Sequence, residues 1–569
     1  MIFLTSQFSN FVKKFKLKLF TLFIVVLLQT IINIISVISL APIIDLFMKK
    51  NDEELSFLTQ LFKKIFLEFN IDFQLIHSFI FFGFFILLTS IFGLWANYLN
   101  LKIKYDIFSQ IKVGMMSLFL KSDYSFFNLK KLGKFINTFD FEVNKVCDAL
   151  DQLIRFFIAL IQIFLLIIIP VYLSLKFTLI FFVCIFLIIS PTIFFKNYIY
   201  KLSVMDTKSS NELSNSLYQI LSSIKLIYSY GMNENAKRHF KDYANKHVDA
   251  AVSRLFFSTA VPLIFSPLII ISLMIPSYFI FKTGYPLSEL IVILFSFQRM
   301  APHLANAVKC RIIITSTKAS FDQIKNYEDE AKKASSIDGK DNFKGFKDQI
   351  IFKDISFNYP NNKNLFNKIN LSFKKNTITG LAGPSGSGKT TLVDLLTGML
   401  KPTEGKILID EKNLNDFKIS TFRSKIGYIP QDPVLFNISI KENLLWANNL
   451  ATDDEIQKAL SFVEIDKFIN NLPDGINTIV GERGEALSGG QRQRIAFARA
   501  IIRKPEILIM DEATASIDQK TQDLIENKLE ELSTETTIIL ISHSSKLLKK
   551  LSKIYKIDKG VLKLVEDLK

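Results

Sequence analysis

Gly383, Pro384, Ser385, Gly386, Ser387, Gly388, Lys389 and Thr390 run in the order G-x-x-x-x-G-K-[ST]. Glycines at that spacing let successive backbone N–H groups wrap phosphate oxygens at a helix N-terminus, where the partial positive charge favours an anion. On this reading Lys389 reaches the β- and γ-phosphates of a nucleotide and the Thr390 hydroxyl coordinates Mg²⁺. The bland alternative is a Gly-rich turn. The flanks argue against it: a strand-like apolar run, Ile378–Ala382, leads in, and a helical pattern, Thr391–Leu400, leads out. Further along, Ile507-Leu-Ile-Met-Asp-Glu512 reads as an apolar strand ending in two acids. Asp511 would sit on the metal side of the nucleotide, and Glu512 would accept a proton from an attacking water. Paired acids after a strand are a weak signal alone and a strong one beside a phosphate loop.

The elements that position these groups divide the chain in two. It has 569 residues, 49% of them hydrophobic, 55 of them Phe, yet its formal charge is +16. A membrane protein that keeps its Lys residues on the cytoplasmic side combines those features. Nucleic-acid binding, the other common meaning of such a charge, is disfavoured because the Lys residues flank long apolar runs and form no single basic stripe. Cys147, Cys184 and Cys310 are far apart and form no CxxC pair, so they read as ordinary buried residues.

Uncharged runs cover residues 19–44, 73–101, 156–175, 177–195, 255–281 and 290–308, the last broken by Arg299 and His303. About 20 apolar residues cross a bilayer core, so the expected fold is a six-helix transmembrane domain. The first run is too long for a signal peptide, whose apolar region is about 7–15 residues. Three segments are rich in Lys: the N-terminal one (Lys13, Lys14, Lys16, Lys18), Lys102–Arg155 and Lys196–Arg254. They place the N-terminus and everything after Val308 in the cytoplasm. The expected domains are a membrane domain over 1–325, a charged linker over 326–345 and a soluble α/β domain over 346–569, in which β-rich runs alternate with helical patterns.

Leu487-Ser488-Gly489-Gly490-Gln491, ahead of Asp511, resembles the signature of ATP-binding-cassette (ABC) proteins. Tyr359, Gln431, Asp518 and His543 stand in segments similar to that family's pattern, and the apolar runs resemble the membrane domain of its exporters. The resemblance implies an exporter-type half-transporter with an α/β P-loop cassette, using ATP and Mg²⁺ in the cytoplasmic (inner) membrane. It implies that Tyr359 stacks on adenine, that Thr391 follows Thr390 around the phosphates, and that Gln431 contacts Mg²⁺ or the lytic water. Asp511 is the other metal ligand, and Glu512 and His543 are catalytic. Ser488, Gly489, Gly490 and Gln491 close over the γ-phosphate of a second subunit, which implies a homodimer, with a heterodimer as the alternative. Gly481-Glu-Arg-Gly484 resembles the exporters' short cross-linking loop, although Ile479 stands where many have Glu. The segment Tyr124–Gly133 resembles their first intracellular loop, with Phe126 and Phe127 as anchors on a nucleotide domain; a second loop near Ser203–Leu213 has weaker markers.

Substrate clues are thinner. Arg299, His303 and Asn306 fall at i, i+4 and i+7 and share a helix face; Gln29, Asn33 and Ser36 form a similar polar stripe. Either these faces line a cavity in which Arg299 meets an anionic head group, or Arg299 snorkels to water. The run Thr391–Gly405 and the Arg299–Pro302 spacing are similar to bacterial lipid-linked oligosaccharide flippases, so the leading expectation is an amphipathic or lipid-like substrate, possible lipid-linked saccharides included, with membrane lipid as a partner. The alternatives are a drug or peptide exporter and, behind it, a non-pumping channel or regulatory subunit.

Overall fold

The structure, a computed structural model, describes residues 13–48, 55–128, 131–190, 194–281, 287–334, 339–359, 365–513, 517–542, 551, 553–558 and 560–565. The chain forms two compact units, Met1–Ser122 with Leu129–Lys333 and Asp123–Asn128 with Ala334–Lys569.

The first unit is helical. Its helices run Lys16–Ile38, Leu40–Phe47, Phe57–Glu68, Leu75–Leu120, Leu132–Asn137, Val143–Leu166, Ile168–Leu173, Leu175–Ile189, Lys196–Ser222, Ile224–Ser229, Asn233–Phe281, Leu287–Ser316 and Lys318–Lys333. The 46 residues of Leu75–Leu120 rise about 70 Å at 1.5 Å each, more than twice a hydrocarbon core, so this helix continues well past the bilayer. Buried side chains knit three of the helices together. Leu166, Phe177, Phe181, Phe297 and Met300 form one cluster, in which the Phe181 and Phe297 rings lie 3.8 Å apart between centroids. Ile76, Phe79, Leu87, Ile91 and Leu94 of Leu75–Leu120 are exposed, as apolar side chains facing lipid would be.

The expected count of six spans is corrected here. Among the described residues three helical stretches are long and apolar enough to cross a membrane: Lys16–Phe47, Leu75–Leu120 and Leu132–Leu173. The run 156–175 is the end of the third of these. The run 177–195 enters only a shorter apolar helix, Leu175–Ile188, because Ser174, at φ −155° and ψ 99°, breaks the chain before it. The run 290–308 lies in Leu287–Ser316, whose apolar stretch is diluted by Arg299, His303, Lys309 and Arg311. The run 255–281 ends Asn233–Phe281, whose first half is charged, and many side chains of that run lie outside the described residues.

The second unit carries ten strands: β1 Gln349–Phe357, β2 Phe366–Lys374, β3 Ile378–Ala382, β4 Glu404–Ile409, β5 Lys412–Asn413, β6 Ile426–Ile429, β7 Ile507–Asp511, β8 Thr537–Ile541, β9 Lys553–Asp558 and β10 Val561–Val565. One sheet has the order β2-β1-β4-β5, the other β10-β9-β3-β8-β7-β6. In the second sheet β9, β3, β8, β7 and β6 are parallel. Every residue of β7 and of β8 is buried, as in a sheet covered on both faces, which explains their unbroken apolar sequences. The register sets Leu381 and Asp511 each opposite Ile541, and Met510 opposite Ile429. The carboxyl ends of β3, β6, β7 and β8 therefore meet at one edge, where ligands of parallel sheets bind.

Candidate nucleotide site

The loop after β3 is built so that backbone alone can surround an anion. Gly383 has φ 153°, and a Cβ there would lie 2.3 Å from the Ile557 carbonyl oxygen. Gly388 has φ 103° and is the N-cap of the helix Lys389–Leu396; its Cβ would strike the Phe366 ring at 2.7 Å. Both positions exclude a side chain and both lie in the region that favours glycine. The Lys389 ammonium donates to the carbonyl oxygens of Gly383 at 2.9 Å and Pro384 at 3.1 Å, so it is folded into the loop it would serve. The Ser387 hydroxyl is buried with no hydrogen-bond partner, a donor that a phosphate oxygen would satisfy. Ser385 and Gly386 occupy the exposed crest of the loop.

Across from it stand the groups from β6 and β7. The Thr390 hydroxyl donates to the Asp511 carboxylate at 3.2 Å. Gln431, just beyond β6, donates from Nε2 to the Glu512 carboxylate at 2.7 Å. Glu512 holds φ 49°, and its N–H donates to the Ile541 carbonyl at 3.0 Å. Burial pushes the Asp511 carboxyl up and Glu512 adds to this, against the Thr390, Lys389 and Tyr428 contacts that hold it down. A cation beside Asp511 would act in the same sense as those three. Thr390 and Asp511 supply hard oxygen donors, and among the described residues there is no group of three or more His, Cys, Asp or Glu that could hold a metal. That suits Mg²⁺, which takes one or two carboxylates and completes its shell with phosphate and water.

Tyr359 is within hydrogen-bond distance of Thr391, hydroxyl to hydroxyl, at 3.2 Å, and its ring meets Phe357 edge-on at 5.0 Å. The expected adenine platform thus stands beside the phosphate-loop helix. Ser488 caps the helix Gly489–Ile501: its hydroxyl accepts from the Gln491 N–H at 3.3 Å while the Gln491 side chain accepts from the Ser488 N–H at 2.8 Å. Among the described residues no hydrogen bond joins this segment to the phosphate loop. Asp518 caps the helix Gln519–Leu532, accepting from the Thr521 N–H at 3.0 Å. His543 lies outside the described residues, as do Ala515 and Ser516.

Two residues escaped the sequence reading. Asp394, one turn past Thr390, is pushed up to about 6 by burial and by Asp511. Tyr428, in β6, stands opposite Ile509, two residues before Asp511, and burial, then Asp511 and Asp394, push its phenol up. Only their distance along the chain from Thr390 and Gln431 hinted at them; sheet register brings them under the influence of Asp511.

The residues expected to meet substrate belong to the helical unit. The Arg299 guanidinium packs over the Phe295 ring at 4.9 Å, and its Nε is buried without a hydrogen-bond partner. His303 is half-buried and Asn306 exposed. In the other stripe Ser36 is buried and donates to the Asn33 carbonyl at 2.9 Å, and Gln29 packs where a Gly93 Cβ would come within 2.9 Å of its Nε2.

Residues 19–301 match the family model for the ABC transporter transmembrane region, and residues 366–515 match the family model described as ABC transporter. The chain is 33% identical over 345 residues to the heterocyst differentiation ATP-binding protein HepA of a Nostoc strain, covering 60% of this chain and 56% of that one. It is 41% identical over 215 residues to ABC transporter B family member 3 of Dictyostelium discoideum, covering 37% and 15%. An ABC transporter ATP-binding protein, YwjA, of Bacillus subtilis is 39% identical over 216 residues, covering 38% and 37%. The matched stretches thus span about half of the first relative and less of the others. Among solved structures the chain has the fold of a bacterial Atm1-family ABC exporter with ATP bound, at a TM-score of 0.82, 19% identity and coverage of 96% and 94%.

Proposed function

We propose that this chain, which belongs to the ABC transporters by its transmembrane region and its ATP-binding domain alike, works as one half of an ATP-driven exporter. It is a multi-pass membrane protein whose ATP-binding domain is cytoplasmic. The observation that carries the reading is the meeting of Thr390 with Asp511 and of Gln431 with Glu512 at one sheet edge, beside a loop made for phosphate. ATP lies along Gly383–Thr391, its adenine on Tyr359. Thr390 and Asp511, with Gln431 nearby, would hold Mg²⁺, which would supply neutralising charge to the phosphates. Glu512 takes the proton of the attacking water, and Gln431 holds that carboxylate in place. His543, which follows β8 in the sequence, serves the γ-phosphate.

The partner is a second copy of the chain. Ser488, Gly489, Gly490 and Gln491 open a helix in which the capping box takes the Ser488 and Gln491 N–H groups, so the Gly489 and Gly490 N–H groups at the helix start, with the Ser488 hydroxyl, cap the γ-phosphate held by the other copy. The cargo is an amphipathic molecule of the drug or peptide kind in preference to a lipid-linked saccharide. His303 and Asn306, of the same helix as Arg299, contact the cargo. ABC transporter B family relatives support the exporter reading.

The test is ATP hydrolysis by the purified full chain in lipid, with a panel of amphiphilic drugs, hydrophobic peptides, phospholipids and polyprenyl-linked saccharides. Glu512→Gln should lower turnover at least about 100-fold with ATP binding kept, and drugs or peptides should stimulate the wild type. Equal turnover in the two proteins would overturn the reading; stimulation by the saccharide alone would overturn the cargo assignment.

A further inference from the structure

The helix Leu287–Ser316 has two unlike faces. Ile293, Phe297, Met300 and Leu304 are buried in the apolar cluster it shares with Leu166, Phe177 and Phe181. At 3.6 residues per turn the opposite face carries Gln298, Pro302 and Asn306, and these are the exposed positions between Leu290 and Val308. Other helices of the unit turn apolar side chains outward instead, among them Leu28 and Ile31 of Lys16–Ile38, Leu160 and Phe164 of Val143–Leu166, and Leu179 and Val183 of Leu175–Ile189. Those faces suit lipid. A side-chain amide turned to hydrocarbon without a partner is costly, so the face of Gln298 and Asn306 suits a polar partner. Neither side chain has a hydrogen-bond partner among the described residues. Pro302 adds a third group. It lies inside the helix and has no N–H, so the Gln298 carbonyl loses its helical donor. One face thus presents two side-chain amides and a main-chain acceptor, with no charged side chain exposed between residues 290 and 308.

We propose that the side chains of Gln298 and Asn306, with the Gln298 carbonyl, bind the main chain of an extended, apolar peptide and so set the cargo class. The inference rests on the exporter reading and deepens its cargo assignment. A peptide group carries a donor and an acceptor and no charge, and a carboxamide can pair with both, through its NH₂ and its oxygen. The spacing fits as well. Gln298 and Asn306 stand at i and i+8, about 12 Å apart along the helix axis. An extended peptide covers about 13 Å in four residues. A stretched pentapeptide therefore meets both amides at once, whereas a dipeptide meets only one. An amphiphile without amide groups has no use for the pair.

The experiment measures binding of a fluorescent, end-capped apolar pentapeptide to the nucleotide-free full chain in lipid. Gln298→Met and Asn306→Leu remove the hydrogen-bonding groups at similar volume, and each should raise the dissociation constant about tenfold. The same peptide N-methylated along its backbone should bind the wild type about tenfold more weakly and be indifferent to both substitutions. Pro302→Ala returns an N–H to the Gln298 carbonyl. It should weaken binding of the unmethylated peptide without lowering the melting temperature, since a proline inside a helix is itself destabilising. Equal binding of the two peptides by the wild type, or substitutions that weaken both peptides alike, would overturn the proposal. So would a looser dimer at unchanged peptide affinity, which would assign the face to the second copy. Failure of the exporter reading would show separately, as turnover that survives Glu512→Gln.

Discussion

Gly388 and Gly386 both carry positive φ, +103° and +78°, but they differ in what surrounds them. A Cβ at Gly388 would press on the Phe366 ring at 2.7 and 3.0 Å and on Leu365 at 3.3 Å, while one at Gly386 meets nothing within 4 Å. Gly388→Ala therefore combines backbone strain with a clash against a fully buried ring, and should cost about 3 kcal/mol; Gly386→Ala has the strain alone, about 1 kcal/mol. Thermal melting of the full chain, monitored with and without MgATP, should place Gly388→Ala well below Gly386→Ala, and equal losses would mean that the Phe366 contact does not matter. The spacing of Gly, Lys and Thr around these positions was legible because a phosphate loop is local: eight consecutive residues contain the whole device. Tyr428 and Asp394 were not, because the influence of Asp511 on each arises only once β6, β7 and the Lys389–Leu396 helix are in register.

Among the helices, the informative feature is a buried charge cluster that no sequence pattern announced. Asp206 of Lys196–Ser222 is 1% exposed and lies 2.9 Å from Lys145 Nζ of Val143–Leu166 and 2.9 Å from Arg254 Nε of Asn233–Phe281. The Arg254 N–H does not point along its line, so that contact is ionic, whereas Lys145 makes a full hydrogen bond. Lys145 also meets Glu142, which is wholly buried and sits at the end of a π-turn, Thr138–Glu142. Removing one member of such a set leaves the others buried and unmatched, at about 3–5 kcal/mol. Asp206→Ala should lower the melting temperature of the full chain by several degrees with nucleotide affinity unchanged, and Asp206→Glu should recover most of the loss. An unchanged melting temperature in Asp206→Ala would show that water already reaches the cluster. Hydropathy marked the apolar stretches but counted them as six spans. It could not see that Ser174 interrupts one pair, or that the same helices continue into charged extensions whose polar residues are there to pair with one another.

At the scale of the whole molecule the question is whether the site is finished within one chain. Lys389, Thr390, Asp511, Gln431 and Glu512 converge, while the helix opened by Ser488 makes no hydrogen bond to the phosphate loop among the described residues. Symmetric pairing would let each copy lend its signature to the other. Two lesions distinguish that arrangement from a self-contained site: Lys389→Ala in the phosphate loop and Ser488→Arg at the signature. Each alone should abolish ATP hydrolysis, since every site in either pure dimer carries the lesion. When the two chains are co-expressed and pair at random, about half the dimers are mixed. In a mixed dimer one site collects both lesions and the other collects neither, so hydrolysis should return to roughly a quarter of the wild-type rate. A self-contained site predicts silence, because every chain in the mixture is damaged. Recovery in the mixture, measured on purified protein in lipid, is therefore the outcome that only sites shared between two copies can produce.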